Sequence, residues 1–158
     1  MSESTTLRME RTYEASAQAV FDAWTSEEVM RRWWHAEHDW ETTVAEVDLR
    51  VGGSVRVVMR NPHDDVDYGG GGRYTEVEPP NRLAFTWIWD GNDTRQLIEI
   101  DFEENDGATT VRFTHSALWD EEAVRSHREG WSGAFDNLER TLREGRLESR
   151  LDEGRGDL

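Results

Sequence analysis

Five histidines carry much of the chemistry open to this chain, and two of them, His35 and His38, lie in its densest aromatic stretch, "MRRWWHAEHDW" from Met30 to Trp40. Imidazoles three apart, with Glu37 and Asp39 beside them, have the spacing to approach one metal ion if a helix carries them. A third ligand has no source nearby and cysteine is absent. The stretch therefore reads as solvated histidines at a helix end, with no metal expected. His115 has a different setting, at an inward position near the end of a strand, beside Ser116 and before a long helix whose apolar stripe includes His127. A buried imidazole must hydrogen-bond to protein or ligand. As an acid/base pair these two lack a third group, since no Ser-His-Asp or paired-carboxylate pattern accompanies them. A structural or ligand-orienting role is favoured, and His115 is the catalytic candidate if there is one. The loop "NPHDDVDYGGGG" gathers Asp64, Asp65 and Asp67 before a glycine run. It lacks the lysine and following helix of a phosphate cradle and the further positions of a calcium loop. It is expected to be a mobile acidic hairpin tip, a lid at a cavity mouth.

The elements that must hold these groups follow from patterning. "TLRMERTYEA" alternates as a first strand. "SAQAVFDAWTS" is a helix capped by Ser16, and "SEEVMRRWW" restarts as a second short helix capped by Ser26 with Glu27 and Glu28 in its first turn. Six period-two segments follow, separated by turn chemistry that includes Asp90-Gly91 and Asp106-Gly107. A long helix then opens at Asp120 and is expected to close near Gly145, with Val124, His127, Trp131, Phe135, Leu138 and Leu142 as its apolar stripe. Strand parity turns Val55, Val57 and Met59 inward, with Leu83, Phe85, Trp87 and Trp89, and with Val111, Phe113 and His115. The expected fold class is α+β, a curved antiparallel sheet of about seven strands around a long C-terminal helix, with two short helices after the first strand. Residues 1–145 form the expected single domain, and 146–158 a charged, frayed tail.

Composition narrows the function. The chain has 158 residues, enough for one domain that buries roughly 70% of its unfolded surface. Eight tryptophans compensate for a hydrophobic content of only 35%, since each buried ring is worth roughly 4–6 kcal/mol of gross burial. The 34 acidic residues against 18 basic ones, all arginine, give a net charge of −16. That field repels phosphate backbones and anionic membranes, so no nucleic acid and no membrane is expected as partner. Acid spread along a lysine-free chain reads as a halophile-type surface; a GC-rich genome would explain the missing lysine but not the excess acid. The N-terminus has no apolar core of a signal peptide, and a cytoplasmic location is expected.

Five motifs in order, "VFDAWTSEEVMRRWW", "DLRVGGSVRVVM", "YTEVEPPNRLAFTW", "TTVRFTHSAL" and "HREGWSGAFDNLERTL", resemble the SRPBCC superfamily (START-like, Bet v 1-like), specifically the branch named for similarity to the activator of Hsp90 ATPase. The resemblance covers roughly residues 8–145. It implies a helix-grip fold with an apolar cavity for a hydrophobic or aromatic small molecule. Mapped by motif, the lining draws on Trp33 or Trp34, Met59, Trp87, Trp89, His115, Trp119, Trp131 and Phe135; parity and the helix stripe add Val57, Phe85, Phe113 and His127. Which of the adjacent tryptophans faces in stays open. Relatives span carriers, cyclases and hydrolases, so fold does not fix chemistry. The expected function is small-molecule binding without a cofactor, by a monomer or homodimer. The alternatives are a polyketide cyclase or hydrolase-type enzyme using His115, and an Hsp90-type co-chaperone.

Overall fold

Side-chain caps start all three helices where the sequence places them. Ser16 accepts a hydrogen bond from the Ala19 amide (3.1 Å), Ser26 from that of Val29 (3.5 Å), and Asp120 from that of Ala123 (2.8 Å). The computed structural model describes residues 5–156, with side chains through residue 145. In chain order the elements are β1 (Leu7–Tyr13), α1 (Ala17–Thr25), α2 (Glu27–Trp33), β2 (Glu41–Val47), β3 (Ser54–Asn61), β4 (Val66–Glu78), β5 (Arg82–Trp89), β6 (Gln96–Asn105), β7 (Ala108–Ser116) and α3 (Glu121–Gly156).

The strands form one antiparallel sheet in the order β1-β7-β6-β5-β4-β3-β2. It is a curled half-barrel that grips α3, an α+β helix-grip. The β6–β7 connection is a tight turn in which Asp106 (φ 53°) and Gly107 (φ 82°) both take left-handed backbone, as an Asp-Gly hairpin requires. Inward parity holds: Val55, Val57, Leu83, Phe85, Trp87, Val111, Phe113 and His115 are buried, while Met59 and Trp89 are only partly covered.

Two expectations are corrected. The glycine run is strand rather than loop: β4 begins at Val66, and Gly69 to Gly72 pair in register with Val58 to Val55. A glycine backbone completes the ladder as well as any other, and here a side chain would not fit. A Cβ on Gly70 would lie 2.7 Å from the Trp87 indole, which packs flat over the strand. The hairpin tip shrinks to residues 62–65. In addition, α3 does not close at Gly145 but runs on to Gly156. One glycine costs a helix about 1 kcal/mol, which the Arg, Glu and Leu residues around it, good helix formers without a proline among them, offset. Residues 157 and 158 of the expected tail lie outside the described residues.

The core is aromatic. Trp24 of α1 sits at its centre, with ring centroids 4.6 Å from Trp33, 5.3 Å from Trp34, 5.8 Å from Trp131, and 6.1 Å from both Phe113 and Phe135. Rings therefore fill the space between sheet and helix at this end of the grip.

Candidate functional site

The segment joining α2 to β2 builds one wall. Trp34 caps α2 with a ψ of 68°, which breaks the helical path, and the two adjacent indoles stack on one another (5.4 Å, 28°). Trp33 donates its Nε1–H to the Ala23 carbonyl (2.8 Å) and belongs wholly to the core. Trp34 lies on Trp87 (5.8 Å, 24°) and, unlike Trp33, borders a cavity. The open question about this pair resolves in favour of Trp34. Both are buried.

The following residues are strapped to α3. Gly133 makes the approach close enough, for a Cβ there would stand 1.8 Å from the Ala36 carbonyl oxygen. Asn137 donates from Nδ2 to the His35 carbonyl (3.1 Å). Arg140 donates to Asn137 Oδ1 (3.0 Å) and to His38 Nδ1 (2.8 Å). Farther along, Asp39 pairs with His63 of the hairpin tip (2.5 Å).

His35 is the residue the sequence misplaced. It is 5% exposed instead of solvated. Thr42 of β2 gives its only hydroxyl proton to the Trp34 carbonyl (2.7 Å), so its oxygen accepts from His35 Nδ1–H (2.8 Å). That fixes the tautomer and leaves Nε2 with a bare lone pair and no partner among the described residues. Burial, with His38 and Arg140 nearby, lowers its pKa to about 4, so the ring is neutral at pH 7. His35 and His38 are held on different partners, Thr42 and Arg140, rather than on one point.

A depression of about 760 Å³ opens beside this wall. Pairing parity divides its lining in two. Arg56, Val58, Asp67, Gly69 and Asp90 belong to the outer face of the sheet, where Arg56 grips Asp90 with two bonds (2.8 and 2.7 Å). The inner cleft is bounded by Trp34, His35, Ala36, Trp40, Met59, Tyr68, Trp89, Trp119, Ser126, His127, Gly130, Trp131 and Ala134. An H-bonded sheet separates the two, so the volume is shared between them. At the mouth, Trp40 and Tyr68 stack (5.5 Å, 9°), and Trp119, 43% exposed, stands edge-on to His127 (5.4 Å).

Of the residues expected to line a cavity, Trp34, Met59, Trp89, Trp119, His127 and Trp131 do so. Val57, Phe85, Trp87, Phe113, His115 and Phe135 lie behind them in the packed core. Trp34 covers Phe85 and Trp87, and Trp131 covers Phe113 (4.7 Å). His115 is fully enclosed. Trp131 donates its indole N–H to Nδ1 (3.1 Å), so the proton is on Nε2 and goes to Gln96 Oε1 (2.7 Å), while Gln96 Nε2 bonds Thr94 O (3.1 Å). Burial, and His127 beside it, lower the His115 pKa to about 3. His127 has a parallel arrangement: Trp89 donates to its Nε2 (3.0 Å), its Nδ1–H goes to the Ala123 carbonyl (2.7 Å), and burial lowers its pKa. Neither ring has a nitrogen left for a ligand. Parity had located both rings but could not show that indoles occupy them.

Comparison with known proteins agrees with this geometry. The family model described as "Activator of Hsp90 ATPase homolog 1-like protein" matches residues 14–143. No curated protein matches. Among solved structures, the AHSA1-like protein from Aeromonas hydrophila is similar with 28% identity and a TM-score of 0.73, covering 89% of this chain and 95% of that one. The AHSA1 protein from Silicibacter pomeroyi is 26% identical with a TM-score of 0.78, over 89% and 99% of the two chains. A protein from Chromobacterium violaceum, 20% identical, reaches a TM-score of 0.82 over 87% and 96%, a likeness of fold.

Proposed function

We propose that this chain, which belongs to the Activator of Hsp90 ATPase homolog 1-like family, binds a hydrophobic or aromatic small molecule in the inner cleft between the ends of β3–β5 and the first turns of α3. One observation carries the reading: beyond the packed core, Trp34, Trp89, Trp119 and Trp131 edge an unfilled space together with Met59 and His127. Ligand pockets have this character, mostly apolar and aromatic walls with a few polar groups. Flat rings stack on indole faces with little loss of side-chain freedom, because the lining is already held by its neighbours.

The net charge of −16 supports a neutral partner over nucleic acid or an anionic membrane surface. Among the described residues no helix is long and apolar enough to cross a membrane. We take the domain to be cytoplasmic, cofactor-free and adapted to salt. Its thermal midpoint should rise from low to molar KCl as screening relieves self-repulsion, and a midpoint independent of salt would remove that adaptation. No observation favours cyclase or hydrolase chemistry at His115, since both its nitrogens are engaged inside the protein. A co-chaperone role rests on the family's description alone. Titration with naphthalene and indole by calorimetry and tryptophan fluorescence tests the binding reading: saturable uptake with a spectral shift is expected, and the absence of both would refute it.

A further inference from the structure

The cleft reading leaves open which aromatic molecules fit, and the polar atoms of its wall bear on that. Each inner lining residue is uncharged once the histidines are neutral, so a ligand carboxylate would find no cation there. Of the three histidines in this region, His115 and His127 have both nitrogens committed to protein partners. His35 has one committed. Its backbone N–H reaches the Trp33 carbonyl (2.8 Å), its carbonyl accepts from Asn137, and its Nδ1–H goes to Thr42, which leaves Nε2 as its one polar atom without a partner among the described residues.

We infer that His35 Nε2 is the polar anchor of the cleft, accepting a hydrogen bond from an O–H or N–H on a neutral planar aromatic ligand. This rests on the cleft being the binding site. The Thr42–Trp34 carbonyl relay makes His35 an acceptor only, and the strap from Asn137 and Gly133 holds its backbone in place, so the lone pair is aimed before a ligand arrives. An acceptor of fixed tautomer also discriminates: it draws phenols, indoles and anilides and repels the lone pairs of ketones, ethers and carboxylates. The lowered pKa keeps that preference intact at neutral pH. Thr42 is a positioning residue in this scheme and touches no ligand.

The test uses the full chain and matched probes: naphthalene, α-naphthol and its methyl ether, with indole and N-methylindole as the N–H pair, each titrated by calorimetry. The wild type should bind each donor about tenfold tighter than its methylated partner, the worth of one well-made hydrogen bond. His35→Leu should erase that preference, so that each donor and its methylated partner bind with equal affinity. In the wild type, the nitrogen-15 resonance of His35 Nε2 should move upfield with α-naphthol and stay with the ether, a readout that needs no variant to fold. Equal wild-type affinities, a preference that survives in His35→Leu, or an unmoved Nε2 resonance would overturn the anchor and leave the cleft standing. If none of the probes binds, the cleft reading itself fails and the anchor with it.

Discussion

The two ends of the space under α3 are built from the same residue types and do opposite things. Toward β1 and β7, Trp24, Trp33, Phe113 and Phe135 pack in one buried cluster, with His115 buried beside Phe113. Toward β3 and β4, Trp34, Trp89, Trp119, Trp131 and His127 meet at tilted or edge-on angles, and an open cleft remains. What separates the ends is the size of the side chains among the rings. The closed end has rings facing rings. At the open end α3 contributes Ser126, Gly130 and Ala134 between its aromatic residues, and these small side chains leave the space unfilled. Aromatic content alone therefore does not make a pocket; the small residues among the rings decide where one survives.

Truncation should separate the two ends most sharply. Trp24→Ala removes the ring at the centre of the closed end and should cost about 3–5 kcal/mol in urea unfolding. Acidification comes next. His115 and His35 have folded-state pKa values of about 3 and about 4, below the ordinary 6.5, so between those limits the unfolded chain binds protons that the folded chain refuses. Stability is fully present above pH 6.5 and is lost as pH falls through that window, by a few kcal/mol in all. A transition midpoint unchanged between pH 7 and pH 4.5 would contradict this. Gly133→Ala should then cost about 1–3 kcal/mol, because its Cβ must push Ala36 away from α3, and it should weaken ligand binding too by loosening the wall that carries His35. The smallest effect on folding is expected for Trp119→Ala, within about 0.5 kcal/mol, since the ring is 43% exposed. That variant should still lose about 1 kcal/mol of affinity for naphthalene, the scale of one aromatic contact. If instead it destabilises the fold as strongly as Trp24→Ala, the distinction between the ends disappears.

Periodicity made most of the fold legible. Alternation identified the inward residues of β3, β5 and β7, and hydroxyl or carboxyl caps marked each helix start, because both signals depend on near neighbours in sequence. The glycine run of β4 reads as loop because Gly69 to Gly72 carry no side chain from which parity can be taken; their pairing is set by Trp87 and by β3 on the neighbouring strands. The burial of His35 is hidden in the sequence for a related reason. Its burial depends on Thr42 returning beneath it and on Gly133 and Asn137 admitting the segment against α3. A partial signal existed. Gly133, Asn137 and Thr141 repeat every four residues beside the apolar stripe, and a small or polar row of that kind on a long helix marks a face where another backbone comes close. The sequence likewise located His115 on the inner face, but which rings would cover it depended on where Trp34 and Trp131 came to rest.

The most direct test of a cleft at one end and a packed core at the other is a crystal of the full chain soaked with a bromonaphthalene, read by bromine anomalous scattering. The expected result is a peak bounded by Trp34, Trp89 and Trp131, with Trp24 and its neighbours undisturbed. A cleft closed by side chains, or a bromine peak lodged among Trp24, Phe113 and Phe135, would contradict it.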